Sequence, residues 1–245
     1  MSQAERVAVV VGVGASAGLG GALARRFARE GLHVLLAGRT ADRLESLAEE
    51  IRQAGGAATG VPTDTTQPQE VTALFERAET VGESLELVAY NAGNAAMGQL
   101  LDMEESFFEE VWRVTCLGGF LVGGEAARRM VAQGSGSILF TGATASLRSR
   151  PPFAAFASAK AALRALAAGL AREVGPKGVH VGHVIVDGMI DGEHLNSRFP
   201  GLREKQGENG MLNIDAIAET FWSLHDQHPS AWSFEVDLRP HGESW

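Results

Sequence analysis

Runs of β-branched and apolar residues alternate along this chain with segments of helical period, and no other feature limits the possible folds as strongly. Strand-like runs occupy 6–12, 33–38, 57–62, 85–91, 136–142, 180–188 and 233–239. Helical patterns lie near 18–30, 41–54, 68–81, 104–133, 153–174 and 214–227. Strands that are apolar along their whole length, each followed by a helix, predict an α/β chain with a parallel sheet covered on both faces. The segment 189–213, "MIDGEHLNSRFPGLREKQGENGMLN", is polar and long for a loop. It reads as a short helix and a mobile lid over a substrate.

The 245 residues, 45% of them hydrophobic, suit one domain over 1–245 with a full core. A formal net charge of -9 argues against a nucleic-acid surface. Cys116 is the sole cysteine, which excludes an internal disulfide and fits a reducing compartment. The N-terminal stretch lacks the pattern of a signal peptide, and no uninterrupted apolar stretch reaches membrane-spanning length. A cytoplasmic protein without a membrane partner is the expectation. No metal-ligand set is assigned.

The first strand runs into "GVGASAGLGGALARRFAREG", with Gly12, Gly14, Gly18 and Gly20 at the strand-to-helix turn. Glycine there permits a sharp turn and close backbone approach to a pyrophosphate. The helix that follows offers unpaired N–H groups and its positive dipole end to phosphates. Ser16 adds a hydroxyl and Ala17 lies between the glycines. An ordinary Gly-rich turn is the plain alternative, but the placement after a first strand favours a dinucleotide site. The end of the second strand selects the cofactor. A carboxylate there would bind a ribose 2′-OH, whereas arginine suits a 2′-phosphate. The text "LLAGRTADRLESL" supplies Gly38, Arg39 and Arg43 and no carboxylate at the strand end, so NADP(H) is favoured over NAD(H). Stacking on adenine, or simple solvation, is the other reading of Arg39.

Several stretches together resemble the short-chain dehydrogenases/reductases over essentially the full chain. In order they are "GASAGLG" (14–20), "TDTTQ" (63–67), "YNAG" (90–93), "VTCLGGF" (114–120), "ILFTGATAS" (138–146) and "FASAK" (156–160). The resemblance implies one doubly wound Rossmann-type domain with a seven-stranded parallel sheet. It further implies a nicotinamide cofactor across the carboxyl ends of the strands, a small-molecule substrate, and a homodimer or homotetramer built on the long central helices. By the same resemblance Gly14, Gly18, Leu19 and Gly20 line the diphosphate. Asp64 reaches the adenine amino group with the Thr65 backbone beside it, and Asn91, Ala92 and Gly93 border the ribose. Lys160 holds the nicotinamide ribose, and Gly188 lies against the carboxamide. Asp187 stands where the family has proline, which leaves the local backbone open.

The family works with an Asn, a Ser, a Tyr and a Lys. Spacing puts the first three on Thr115, Ala143 and Phe156; only Lys160 is kept. Tyr90 is the only tyrosine in the chain and belongs to the fourth-strand motif, so no displaced phenol replaces the lost one. A positioned proton donor contributes about 10²–10⁴ in rate. The resemblance therefore implies an atypical oxidoreductase in which the hydride acceptor needs little acid, such as an iminium or an activated C=C bond. A noncatalytic dinucleotide-binding protein, acting as redox sensor or partner subunit, is the competing reading, and a non-redox use of the cleft is a third.

Candidates for replacement chemistry sit at the same strand ends. Thr144 and Ser146 offer hydroxyls or simply bond their own turn. Asp187 ends the sixth strand and acts as acid or base, or caps the next helix. His180 and His183 read as core or surface imidazoles, His194 as an exposed lid residue, and Tyr90 as packing beside the glycine loop. Gly118, Gly119, Gly123 and Gly124 interrupt the long central helix, each at a cost of up to about 1 kcal/mol. Close approach by another helix explains them, either within the chain or, by the family resemblance, across a subunit contact. Trp245 at the end of the chain reads as a buried subunit contact or an exposed aromatic.

Overall fold

The computed structural model describes residues 6–243, so Trp245 lies outside the described residues. Its centre is a sheet of seven parallel strands: β1 (Arg6–Val11), β2 (His33–Gly38), β3 (Ala57–Pro62), β4 (Ser84–Tyr90), β5 (Ser137–Thr141), β6 (His180–Val186) and β9 (Glu235–Leu238). They lie in the order β3-β2-β1-β4-β5-β6-β9. The order reverses direction between β1 and β4, the topological switch point at which an open α/β sheet opens a crevice. This is the seven-stranded, doubly wound α/β domain that the alternating pattern and the family resemblance predict.

Helices cover both faces. On one lie α1 (Leu19–Arg29), α2 (Ala41–Gln53) and α9 (Ile214–His225); on the other lie α3 (Pro68–Val81), α5 (Gly118–Gln133) and α6 (Ala154–Val174). The core is two apolar layers, one on each side of the sheet. α2 shows why its segment is helical: Leu44, Leu47, Ala48 and Ile51, spaced i, i+3, i+4 and i+7, are the residues it buries. Phe27, Phe75, Phe140 and Phe221 are fully buried, each worth about 2–3 kcal/mol in transfer free energy.

One expectation changes. The helix expected over 104–133 is α4 (Glu105–Trp112), a π turn over Arg113–Leu117, and then α5. The extra residue in that turn frees the Val114 carbonyl, which accepts the hydroxyl proton of Tyr90. Tyr90 therefore packs in the α5 layer, across the ladder from Val11 at the start of the glycine loop. One helix, Ala154–Lys177, is long and apolar enough to cross a membrane by length and composition, although Lys160 and Arg164 interrupt its apolar run. In the fold it lies against the sheet with Lys160 buried and Arg164 forked onto Glu235 at 2.6 and 2.7 Å.

The segment 189–213 forms β7 (Ile190–Asp191), α7 (Glu193–Arg198), α8 (Leu202–Gln206) and β8 (Leu212–Asn213), with β7 and β8 paired as a second, two-stranded sheet. It has two short helices where the sequence suggested one.

Three of the four helix glycines pack within the chain. A Cβ on Gly118 would stand 2.4 Å from the Tyr90 hydroxyl, one on Gly119 2.4 Å from Leu163, and one on Gly123 3.0 Å from Phe140. Gly124 meets only Arg128 of its own helix. Gly118→Ala is expected to destabilise the fold by about 1–3 kcal/mol, because overpacking would break the Tyr90–Val114 bond that closes the π turn. Urea unfolding of the variant against the parent measures it.

Candidate active site

The glycine loop is shaped by contacts at the switch point. Gly12 has φ +88°, open to glycine and strained for other residues, and a Cβ there would lie 2.5 Å from the Ala92 nitrogen. Asn91 ties the two loops together: its backbone N–H donates to Val11 at 2.8 Å and its side-chain amide to the Gly12 carbonyl at 3.4 Å. Gly18 caps α1 in extended conformation, and no side chain caps that helix. The first-turn N–H groups, beginning at Leu19 and Gly20, therefore remain open to an anion. A Cβ on Gly14 would meet nothing within 4 Å, so the loop faces open space there. Ser16 is directed otherwise than expected. Its hydroxyl donates to Glu50 at 2.5 Å and accepts from Arg25 at 2.9 Å, fastening the loop to α1 and α2. Ala17 has a role invisible in the sequence: its carbonyl accepts the Glu193 N–H at 2.8 Å, docking the start of α7 on the glycine loop.

Beyond the ends of β2 and β3 lies a cavity of about 290 Å³ lined by Arg39, Asp64, Thr66, Glu109, Arg113 and Val114, among others. Arg39 is exposed and makes no ion pair among the described residues, so it is free to meet a ligand. Asp64 is fixed by accepting the Thr66 N–H at 2.9 Å and hydroxyl at 2.8 Å. Thr65 is buried against Gly118. These groups could hold the adenosine half of a dinucleotide.

At the far end of the cleft, Thr115 is buried in the π turn, with its hydroxyl 2.7 Å from where a Cβ of Gly93 would stand. Phe156 is buried on α6, and one turn later the Lys160 ammonium lies 5.7 Å from the centre of its ring. Lys160 donates to the Thr141 carbonyl at 2.7 Å. Burial without a carboxylate partner lowers its pKa to about 8. Ala143 contributes only backbone groups: its N–H donates to the Ser146 hydroxyl at 3.1 Å and its carbonyl accepts the Ser146 N–H at 2.8 Å. Ser146 is thus a buried turn residue, as its plainer reading holds.

Asp187 does not cap the following helix. Its carboxylate accepts the Thr144 hydroxyl, Arg239 at 2.8 Å and Arg148 at 3.5 Å. Its N–H donates to the Leu238 carbonyl at 2.7 Å, a bond that a proline at this position could not make. That bond carries the β6–β9 ladder one residue further, and Gly188 packs on Pro240 beyond it. Asp187 and Thr144 therefore anchor the cleft wall to the last strand. His194 is exposed on α7.

His183 is a core imidazole, one of the two readings open to it from the sequence. It is fully buried, directly across the ladder from Glu235, and its Nδ1 lies 3.0 Å from that carboxylate. Its Nε2 has no partner among the described residues, and its ring edge fills the space above Gly142. The signal was a histidine at the centre of an otherwise apolar strand with an acidic residue in the last one.

The short chain dehydrogenase family profile matches residues 6–202. The chain belongs to the short-chain dehydrogenase family. Among curated relatives, the uncharacterised oxidoreductase YuxG of Bacillus subtilis is 32% identical over 193 residues, which is 78% of this chain and 28% of that longer protein. A short-chain dehydrogenase from Rhodopseudomonas palustris matches in structure with a TM-score of 0.82 at 37% identity, covering 96% of this chain and 99% of that one. A metagenomic short-chain oxidoreductase solved in complex with NADP matches with a TM-score of 0.81 at 25% identity, covering 96% and 97%.

The buried histidines set an acid limit on stability. Burial lowers the pKa of His183 from 6.5 to about 4, against the opposing pull of Glu235. The unfolded chain takes up that proton first, so stability is lost as pH falls from 6.5 towards 4, by on the order of 3 kcal/mol for this group. His180 and His225, lowered by burial too, act with the same sign. Thermal melts of His183→Asn are expected to show a shallower loss over that range than the parent.

Proposed function

We propose that this short-chain dehydrogenase is an NADP(H)-dependent oxidoreductase of a small molecule, working with altered proton chemistry as a homodimer or homotetramer. What supports the reading is a glycine loop open at Gly14 and an uncapped α1, together with the Phe156 and Ala143 positions beside Lys160, which offer no hydroxyl. A nicotinamide dinucleotide fits the residues present. The uncapped N-terminus of α1 and the open face of Gly14 suit a pyrophosphate, Arg39 suits a 2′-phosphate, and Lys160 suits the ribose hydroxyls. When bound, that group would supply or take hydride.

The chain's own residues limit the acceptor. Lys160 is a buried cation with no carboxylate beside it, so it opposes a cationic iminium and favours an acceptor that gathers negative charge. An activated, conjugated C=C–C=O system meets that condition. The segment 189–213, docked on Ala17, serves as the lid that excludes water from this end.

Fluorescence titration should show NADPH binding more tightly than NADH, and Arg39→Asp should reverse the order, with at least about a tenfold loss for NADPH. Equal affinities in the parent would refute the NADP(H) assignment; binding of neither would refute the oxidoreductase reading. Plain ketones should be reduced about 10²–10⁴ more slowly than by a relative with the phenol. The double variant Phe156→Tyr with Ala143→Ser should recover rate in a steady-state assay. A double variant no faster than the parent counts against this account of the acceptor end.

A further inference from the structure

Reduction at a carbonyl leaves a negative oxygen, and the cleft offers few groups able to protonate it. The Tyr90 hydroxyl is committed to Val114, and burial raises its pKa further. The Thr144 hydroxyl is committed to Asp187, and the Asp187 carboxylate to Thr144, Arg148 and Arg239. His183 is neutral at ordinary pH because burial lowers its pKa to about 4. Lys160 differs from all of these. Its ammonium is buried with a single protein acceptor, the Thr141 carbonyl, so two of its three N–H groups remain uncommitted among the described residues. The ring of Phe156 lies beside it and carries no oxygen to compete for them.

We propose that Lys160 itself supplies the proton that the missing phenol would have given, acting on the acceptor's oxygen directly or through one water. The inference rests on the oxidoreductase reading above, with a reduced nicotinamide dinucleotide as the hydride donor. The step balances: hydride brings an electron pair to carbon and forms C–H, and the displaced π pair settles on oxygen. One Nζ–H bond breaks and O–H forms, leaving a neutral amine that regains its proton from solvent. An oxidised nicotinamide bound nearby would add positive charge beside Lys160 and favour its giving the proton up.

The surroundings permit this. Burial is what brings the ammonium near its titration point, at about 8, so both protonation states are reachable near neutral pH. From β6 it faces His183, which is neutral. From β9 comes Glu235, already bound by Arg164 of α6 and by His183. Beyond β6, Asp187 is held by two arginines. On α4 and the π turn, Glu109 lies 3.8 Å from Arg113, and on α5 Glu125 is held by Arg128 and Arg129. The turn over Thr144–Ser146 carries no charge. None of these carboxylates is paired with Lys160 to keep it protonated.

The test uses the whole protein labelled with 13Cε-lysine. The chain has three lysines, Lys160, Lys177 and Lys205, so the spectrum is assignable by single Lys→Arg variants. The Lys160 signal is expected to titrate near 8, and to stay within about one unit of that value with NADP bound. Reduction of phenanthrenequinone by NADPH should fall as pH rises through the same midpoint. Lys160→Arg, a cation that holds its proton, should reduce the quinone about 10²–10⁴ more slowly at saturating NADPH, with no such fall. A Lys160 that stays charged to pH 10 in the complex overturns the proposal. So does an arginine variant as fast as the parent, or a parent that binds NADPH and leaves the quinone untouched. Absence of dinucleotide binding defeats the oxidoreductase reading instead, so the two failures are distinguishable.

Discussion

A single buried hydrogen bond, from the Lys160 ammonium to the Thr141 carbonyl, fixes the character of the cleft. Taking an ammonium out of water costs several kcal/mol unless partners repay it, and one carbonyl repays only part. The remainder appears as a lowered pKa and as two N–H groups still seeking acceptors. A site built this way is incomplete in the protein alone. Ribose hydroxyls and a developing oxyanion are groups that would complete it, so the proposed dinucleotide binding and proton transfer would meet at one side chain.

The layers around that bond hold it in place without adding charge. α6 carries Phe156, Lys160 and Arg164 on successive turns, so one helix presents an apolar wall, a cation and a tether to the last strand. β5 ends at Thr141, and His183 fills the space beyond Gly142 from the neighbouring strand. On the other side of the cleft, Asp187 links β6 to Arg239 after the last strand and to Arg148 after β5. The cleft wall is thereby part of the edge of the sheet, and its geometry depends on how β9 docks.

Two departures from family expectation have local physical causes. Asp187 in place of proline supplies an N–H, which joins the ladder to Leu238, and a carboxylate that is tied to Arg239 and Thr144. The π turn places Thr115 under Gly93 and turns the only phenol in the chain inward onto Val114.

The sequence by itself determined the parallel sheet, because fully apolar β-branched strands joined by helices have few other ways to hide both faces. It also located the glycine loop and the Phe156–Lys160 spacing, since these are short-range patterns carried by backbone need and helix period. Only the tertiary structure decided what Ser16, Ala17, Asp187 and His183 do. Their partners, Glu50, Glu193, Arg239 and Glu235, are distant in sequence or follow no period, so nothing local announces them. The lone-carbonyl environment of Lys160 belongs to the same class. Burial and the absence of a partner are properties of packing, and a string of residues does not carry them.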